Sequence, residues 1–424
     1  MARMFFGLLA RGISFTALGL ALHGCAAKKI KPGEFTPIPV QEQYRIFETL
    51  PGVKVVGFAD TFTLTKEIPG TQQEWMSVLY LEREFDVLAT LGSGFDVWLA
   101  MDLILNQEDE ESIRQARLRG MPIGYQTLEM ERFFSWVRET RDRGNPFYVV
   151  GLGHEVASSY GWRNQFLIRT FAETLKRYGA GESIPVMEAG LNPLLLLKKC
   201  GETGFPRNEE EVESVKKSIA NLESLVKGVA TTVAERFPAH PHASVLQALP
   251  SHFSAVLELC RTKALPKARI ELEVRSLVQT QAKWSKSGRV LLLGEFDVLR
   301  NTPQTLGGAL KAKFGKEMYT VATVPVKGEV IARTKPPRKI AIEGNESPVQ
   351  VLFQGLREPA LIPMGSLAQR AKRWVPLFQR SRAFLEGGGS PVEWAKEVDA
   401  ILAFPSCSPS GKWYLDHLQF KKEW

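Results

Sequence analysis

The chain has few cysteines, four in 424 residues, which excludes the disulfide-rich class of small secreted proteins. It also has no internal repeat period and no basic stripe interleaved with aromatic residues, so its net charge of +8 does not indicate a nucleic-acid partner. The apolar and charged fractions, 44% and 24%, are ordinary and exclude disordered and collagen-like classes. The length fits two or three units, or one α/β domain with an inserted subdomain.

The N-terminal apolar segment is short as well. Ile13 to Leu22 gives ten apolar or small residues, whereas a membrane-spanning helix needs about 20. With Arg3 and Arg11 before it, the segment predicts a secretory signal. The alternative is an ordinary short hydrophobic segment.

The end of this segment, Leu22-His23-Gly24-Cys25, resembles the lipobox of bacterial lipoproteins. The resemblance implies removal of residues 1–24, acylation of Cys25 and anchoring in a membrane. Ala26 stands where an Asp favours inner-membrane retention, so the expected location is the outer membrane, on either side of it. A protein partner at the cell envelope is also possible.

Residues 25–45 have the composition of a tether. Three lysines are followed by three prolines without an apolar period, as in charged, proline-stiffened linkers; they are Lys28, Lys29, Lys31, Pro32, Pro37 and Pro39. Lys28 and Lys29 would lie beside the lipid headgroups, where their attraction to anionic lipid is small.

The rest of the chain alternates short apolar runs with helical patterns. Such alternation predicts an α/β fold, with a mainly parallel sheet flanked by helices. The predicted strands are Val53–Phe58, Val87–Leu91, Tyr148–Gly151, Val290–Leu293, Tyr319–Val324, Lys339–Ile342 and Ala400–Phe404.

Two helices have recognisable beginnings. Thr127 is expected to cap a helix whose inner face carries Met130, Phe133, Phe134 and Val137. Thr302-Pro303 is expected to open a second helix that Gly315 ends.

The middle of the chain is predicted to be a helical insertion, residues 162–283, between two halves of one α/β domain, 46–161 and 284–424. Its longest helix follows a three-four spacing. The apolar positions of that helix are Val212, Val215, Ile219, Leu222, Val226, Val229 and Val233.

The order of these segments resembles the erythromycin esterase family. Val55-Val56-Gly57-Phe58-Ala59-Asp60 is similar to that family's first-strand motif, Gly-Leu-Gly-Glu-x-x-His. The segment Thr127–Arg141 and the later Arg289–Thr323 also fall in family order, and the likeness covers most of residues 50–405. The resemblance implies the family's α/β fold.

The family's reactive residues are largely replaced, so the chain resembles a degenerate member. The motif Glu falls on Asp60, which keeps a carboxylate, but the His that activates water falls on Thr63. A threonine hydroxyl does not accept a proton at neutral pH, whereas an imidazole does. The family Arg falls on Gln72, which removes a fixed positive charge.

The remaining family positions are degenerate too. The Glu after the second strand falls on Leu91, and the Asp after the third strand falls near Gly153. The late histidine pair falls on Glu295 and Val298. One retained carboxylate does not support the family's hydrolysis, so a catalytically inactive binding or scaffolding protein is expected.

Two alternatives remain. Asp60, Glu295 and Asp297 are expected at the carboxyl ends of neighbouring strands, with His154 also at a strand end, and a rebuilt hydrolase site could form there. The non-catalytic interpretation of the same residues is that the carboxylates are solvated in loops and that the histidine is hydrogen-bonded in a loop. The haem-binding lipoproteins of the related superfamily suggest a third function, for which His154 and Tyr160 are the candidate ligands.

No resident cofactor or metal is predicted. His240-Pro241-His242 and His252 have no helical i,i+4 pairing and no supporting cysteine, so a solvated loop is expected. For Cys200 and Cys260, a bridge and two buried free thiols are equally compatible with the sequence. Cys407 has no histidine near it in sequence to suggest a nucleophile.

Overall fold

The computed structural model describes residues 52–62, 64–107, 109–153, 161–199, 208–262, 265–332, 338–343, 350, 353–364, 381–382 and 391–410. Residues 1–51 are not among them, so the signal, Cys25 and the tether lie outside the described residues. Within the described ranges, no helix is both long and apolar enough to cross a bilayer.

A seven-stranded sheet forms the centre of the fold, in the order β3-β2-β4-β1-β5-β11-β8. Neighbouring strands run parallel except the edge pair β11–β8. Two separate antiparallel pairs, β6–β7 and β9–β10, complete the strands. The strands are β1 Val55–Asp60, β2 Val87–Ser93, β3 Tyr148–Gly153, β4 Val290–Glu295, β5 Met318–Pro325, β6 Gly328–Ala332, β7 Arg338–Ile342, β8 Ala360–Pro363, β9 Ser381–Arg382, β10 Pro391–Val392 and β11 Ala400–Phe404.

Helices connect the strands and pack into one continuous apolar core with the sheet. This confirms the predicted α/β class. The α-helices are α1 Glu67–Arg83, α2 Gly94–Asn106, α3 Glu110–Gly120, α4 Leu128–Glu139, α5 Gly161–Arg177, α6 Ile184–Leu191, α7 Glu209–Arg236, α8 His242–Arg261, α9 Leu265–Gln279, α10 Phe296–Leu299, α11 Leu306–Phe314 and α12 Trp394–Glu397. Short 3₁₀ segments lie at Ile123–Tyr125, Asn192–Lys199 and Gly315–Glu317, and a π-turn at Thr280–Trp284.

The central strands are buried along their length because helices cover the sheet. All six residues of β1 are buried. This is expected of a strand in a parallel sheet, which is covered on both faces and therefore has a nearly continuous apolar sequence. In α7 the seven apolar positions at three-four spacing are buried, so the long helix predicted in the middle of the chain is confirmed.

The prediction for Lys339–Ile342 is corrected. These residues do form a strand, but it is β7, which pairs with β6 in a hairpin outside the main sheet. Exposed Lys339 and Ala341 alternate with half-buried Ile340 and buried Ile342, the period-two pattern of a strand with one solvated face. The strand β8, which pairs with β11, is not predicted because it is four residues long and bounded by prolines.

Two helix beginnings differ from the expectation. Thr127 occupies the N-cap of α4, but its side chain makes no cap hydrogen bond. The helix expected from Thr302 begins at Leu306, because Thr305 is the N-cap and its Oγ1 accepts a hydrogen bond from the backbone N–H of Gly308 at 3.1 Å. The predicted stop at Gly315 is confirmed, with a φ of 54°.

Candidate functional site

The candidate site forms where β1 ends between β4 and β5. Asp60, the last residue of β1, is in register with Glu295 of β4 and with Thr323 of β5. Because neighbouring parallel strands end at the same edge, their terminal side chains converge there, and open α/β sheets place their sites at this edge.

The Asp60 carboxyl accepts hydrogen bonds from side chains of two other elements. Its Oδ1 accepts hydrogen bonds from Nε2 of Gln72 in α1 and from Oγ1 of Thr323, each at 2.6 Å. The nearby hydroxyl of Tyr125, in the 3₁₀ segment after α3, also lowers the pKa of this carboxyl. The side chain is almost completely buried, with 2% of Asp60 exposed. Asp60 therefore joins β1, β5 and α1 beneath the surface.

Burial changes the acidity of this carboxyl. Removal from water raises the pKa of Asp60 to about 6, although the hydrogen bonds from Thr323 and Gln72 and the nearby hydroxyl of Tyr125 act in the opposite direction. The nearby negative charge of Glu295 raises this pKa further. Asp60 thus exchanges a proton near pH 6, in the range that general acid–base chemistry requires.

Glu295, in register with Asp60, and Asp297, two residues after it, have different surroundings. Glu295 is half-buried, and the Asp297 side chain is 44% exposed and pairs with Nε of Arg300 at 3.5 Å. Burial raises the pKa of Asp297, Arg300 lowers it and Glu295 raises it. The negative charge of Glu295 raises the pKa of both Asp60 and Asp297.

The positions compared above with the esterase motifs make packing and hydrogen-bond contacts. Gln72 is fully buried and is the amide that binds Asp60. Leu91 and Val298 pack against the core. At Gly153 an added Cβ would touch the backbone of Leu91 and lie 2.8 Å from the carbonyl oxygen of Gly92, so this strand end has no room for a side chain. Thr63, His154 and Tyr160 lie outside the described residues, which leaves the haem alternative without described ligands.

A second buried polar cluster was not predicted, and the expected solvated loop around His242 is wrong. His242 begins α8 and is fully buried, with its ring stacked on Trp98 at 4.6 Å between centroids. Its Nδ1 is 2.7 Å from the Tyr148 hydroxyl and its Nε2 is 3.4 Å from Oδ1 of Asp102.

Asp102 is the centre of that cluster. Its Oδ2 accepts a hydrogen bond from Arg177 at 2.8 Å, and its Oδ1 accepts one from the hydroxyl of Tyr178. Burial acts to raise the pKa of Asp102, but His242, Tyr178 and Arg177 outweigh it and hold the pKa below its ordinary value. The sequence did carry a signal for this cluster: Asp102 is the single carboxylate in the apolar stretch Val97–Leu105. A charge buried in such a stretch requires a partner.

His240 and His252, the other two histidines among the described residues, also contact protein groups. His240 is 3.3 Å from the carbonyl oxygen of Arg141, and burial lowers its pKa to about 4. His252 donates from Nε2 to the carbonyl oxygen of Gly153 at 3.2 Å. Among the described residues, no group of three or more His, Cys, Asp or Glu side chains is arranged to hold a metal ion.

The two described cysteines, Cys260 and Cys407, are in different states. Cys260 is disulfide-bonded, so the alternative of a free thiol at this position is wrong. Cys200 and Cys25 lie outside the described residues. Cys407 is a buried free thiol, and burial raises its pKa well above the ordinary value, which makes it a poor nucleophile.

Comparison with known proteins supports the fold. No protein-family model matches the chain. No curated protein matches it in sequence. Three solved structures are similar over nearly their whole lengths.

A Bacillus cereus protein of a structural-genomics programme superposes with a TM-score of 0.64 at 12% identity, covering 90% of this chain and 95% of that one. A protein described as a succinoglycan biosynthesis protein gives 0.60 at 12% identity, covering 94% and 99%. A mutant of the erythromycin esterase EreC in its open conformation gives 0.57 at 14% identity, covering 89% and 98%.

The chain has an erythromycin-esterase-like fold. At identities of 12–14% the likeness extends to the fold alone. A fold hosts many activities, so function must be argued from the residues of the site.

Proposed function

We propose that this chain is an outer-membrane lipoprotein, anchored through Cys25, whose erythromycin-esterase-like fold serves in binding or scaffolding rather than in ester hydrolysis. The observation that carries the proposal is the state of Asp60. This carboxyl is 2% exposed and is bound by a neutral amide and a hydroxyl. The position that resembles the family's arginine, Gln72, supplies that amide.

The segment that follows Asp60 supports a closed site. Thr61, Phe62 and Leu64 are each buried to 3% exposure or less. Phe62 packs with Val330 and Ile342 of the β6–β7 hairpin in a small apolar cluster. A substrate carbonyl must come within about 3 Å of a reacting group, and this packing separates Asp60 from solvent.

The end of the described chain covers the same region. Glu67, the first residue of α1, accepts hydrogen bonds from the backbone N–H of Ser408, at 2.8 Å, and from its hydroxyl. Thr65 forms a β-bridge with Pro409, and the N–H of Ser410 reaches the carbonyl oxygen of Leu64. These contacts hold residues 408–410 across the exit from β1.

A hydrolysis assay tests the inactive state. Purified protein is incubated with macrolide lactones and with generic aryl esters, and the expected rate equals that of buffer. Hydrolysis that Asp60→Asn abolishes, while the variant stays folded, would show that the proposal is wrong.

The anchor is supported by the N-terminal sequence, and a labelling experiment tests it. Cells fed a clickable palmitate analogue are expected to label the wild-type chain but not Cys25→Ser, and the wild type is expected in the outer-membrane fraction. Equal labelling of both chains, or recovery of the wild type in the soluble fraction, would contradict the anchor and leave the Asp60 argument untouched.

The second candidate function is a hydrolase with a rebuilt carboxylate site. The pKa of about 6 at Asp60, raised partly by Glu295, favours it because such a carboxyl acts as an acid or a base near neutral pH. This candidate requires an opening to Asp60. This candidate predicts an ester hydrolysis rate that depends on pH near 6 and is lost in both Asp60→Asn and Glu295→Gln.

A further inference from the structure

We propose that a cleft at the β3 edge of the sheet is a binding site for a small aromatic carboxylate. The cleft, of about 140 Å³, lies between β3, the start of α2, helices α8 and α9, and Trp284. It is distinct from the Asp60 site, because β1 and β3 are three strands apart in the sheet, roughly 14 Å at the usual strand spacing.

The size of the cleft sets the size of the ligand. Drug-sized ligands occupy pockets of roughly 300–1,000 Å³, whereas an apolar cavity of about 150 Å³ accepts one benzene ring. Gly94 and Gly151 line the cleft, so it reaches the backbone at the edge of the sheet without a side chain in between. A molecule with one ring and one small polar group fits this space.

One part of the lining is apolar. Val245 and Leu249 of α8, Leu272 of α9 and the half-buried indole of Trp284 contribute to it. An indole face and branched aliphatic side chains favour a flat ring, which packs by offset stacking and by removal of apolar surface from water.

The polar part of the lining favours a negative charge. Arg275 of α9 lines the cleft and has no carboxylate partner among the described residues, whereas Arg269 on the same helix pairs with Glu273 at 3.7 Å. His252, Ser276 and Gln279 also line the cleft, and among the described residues of its lining there is no Asp or Glu. A guanidinium binds a carboxylate through two parallel hydrogen bonds, which a neutral group does not match.

The beginning of α2 is not the anion site. Gly94 is its first residue, but Asp96 already places a buried carboxylate in the first turn, and the Asp96 N–H reaches Ser93 Oγ at 3.5 Å. Since this carboxylate already complements the helix dipole, the recognition of a ligand anion falls to Arg275.

Calorimetric titration with benzoate tests the proposal. Benzoate is expected to bind with millimolar affinity, and benzyl alcohol, which keeps the ring and lacks the charge, about tenfold more weakly or worse. Arg275→Gln is expected to lower benzoate affinity by about tenfold or more, because Gln retains length but no charge. The matched control, Arg269→Gln on the same helix, is expected to bind like the wild type.

Filling the cleft tests its location. Ala248 is half-buried in the lining, so Ala248→Phe is expected to abolish benzoate binding while circular dichroism and the unfolding temperature show a folded protein. If that variant does not fold, Arg275→Gln decides the question. Arg275 is exposed, so its substitution is expected to leave the fold intact. Absence of benzoate binding, equal binding of benzyl alcohol, or wild-type affinity in Arg275→Gln would each overturn the proposal.

Discussion

Gln72 donates a hydrogen bond of 2.6 Å from Nε2 to Oδ1 of Asp60, and it does so from a fully buried position on α1. The contact joins the first strand of the central sheet to the helix that follows it. The donor is a neutral amide, and with Thr323 it binds only Oδ1; the second oxygen, Oδ2, is buried without a hydrogen-bond partner among the described residues. Asp60 therefore acts as a structural junction.

Loss of this donor is expected to destabilise the fold. Gln72→Leu removes one hydrogen bond to a buried carboxyl, which costs about 1–3 kcal/mol in the free energy of unfolding. Gln73→Ala, at the half-buried neighbouring position, is the control and is expected to change stability by less than about 0.5 kcal/mol. Urea unfolding at pH 7 measures both, and equal stability of the two variants would contradict the role of Gln72.

The pH dependence of stability follows from the acidity of Asp60. Its pKa rises from 3.8 to about 6 on folding, so the folded state binds the proton more tightly and stability falls as pH rises from about 4 to 6. The change amounts to about 3 kcal/mol. Asp60→Asn lacks this titration, so the wild type is expected to lose stability relative to Asp60→Asn across this range.

Urea midpoints of both proteins between pH 4 and 7 measure the difference. Comparison with the variant removes the contributions of the other titrating groups, which are common to both proteins. The stability difference could instead stay constant over the range, or change in favour of the wild type as pH rises. Either result would show that folding does not raise the pKa of Asp60.

Asp102 is expected to respond to pH in the opposite direction. Its pKa is lowered on folding, so it contributes stability above about pH 4 that is lost as pH falls through its folded pKa. Asp102→Asn is therefore expected to cost about 3 kcal/mol at pH 7, because it uncouples Arg177 and His242, and less in acid. Asp142→Asn, whose side chain is 86% exposed, serves as the control near zero. A cost for Asp102→Asn that does not shrink in acid would contradict this account.

Two glycines are expected to respond oppositely to alanine. At Gly153 a Cβ would contact the backbone at the β2–β3 ladder, so Gly153→Ala is expected to destabilise the protein by about 2 kcal/mol or more. Gly228 lies exposed on α7 with nothing within 4 Å of an added Cβ, and Gly228→Ala is expected to stabilise by about 0.5–1 kcal/mol. Thermal unfolding gives the sign of each change, and a shared sign would contradict the packing described.

The sequence predicted the six parallel strands of the sheet and the long helix α7 because their patterns are local. A continuous apolar run such as Val290–Leu293 shows a strand buried on both faces, and the three-four spacing in α7 shows one buried stripe. β8 escaped prediction because its four residues become a strand only through pairing with β11. Lys339–Ile342 was correctly predicted as a strand but was assigned to the main sheet. A local pattern predicts a strand and does not indicate which strand it pairs with.

The site was predictable only in part, for a similar reason. Strand order placed Asp60 beside Glu295, but the hydrogen bonds that determine its chemistry come from Gln72 and from Thr323, 263 positions away. The cluster of Asp102 and His242 joins residues 140 positions apart, which spacing along the chain does not reveal.

The central claim is that Asp60 holds the fold together and does not hydrolyse esters, and a paired measurement on wild type and Asp60→Asn tests it most directly. On the same preparations, unfolding free energy is measured at pH 4 and 7, and the rate of ester and macrolide hydrolysis is measured at pH 7. The account predicts a change in stability that depends on pH and a hydrolysis rate equal to buffer in both proteins. A measurable wild-type rate that Asp60→Asn abolishes, with stability unchanged, would contradict it.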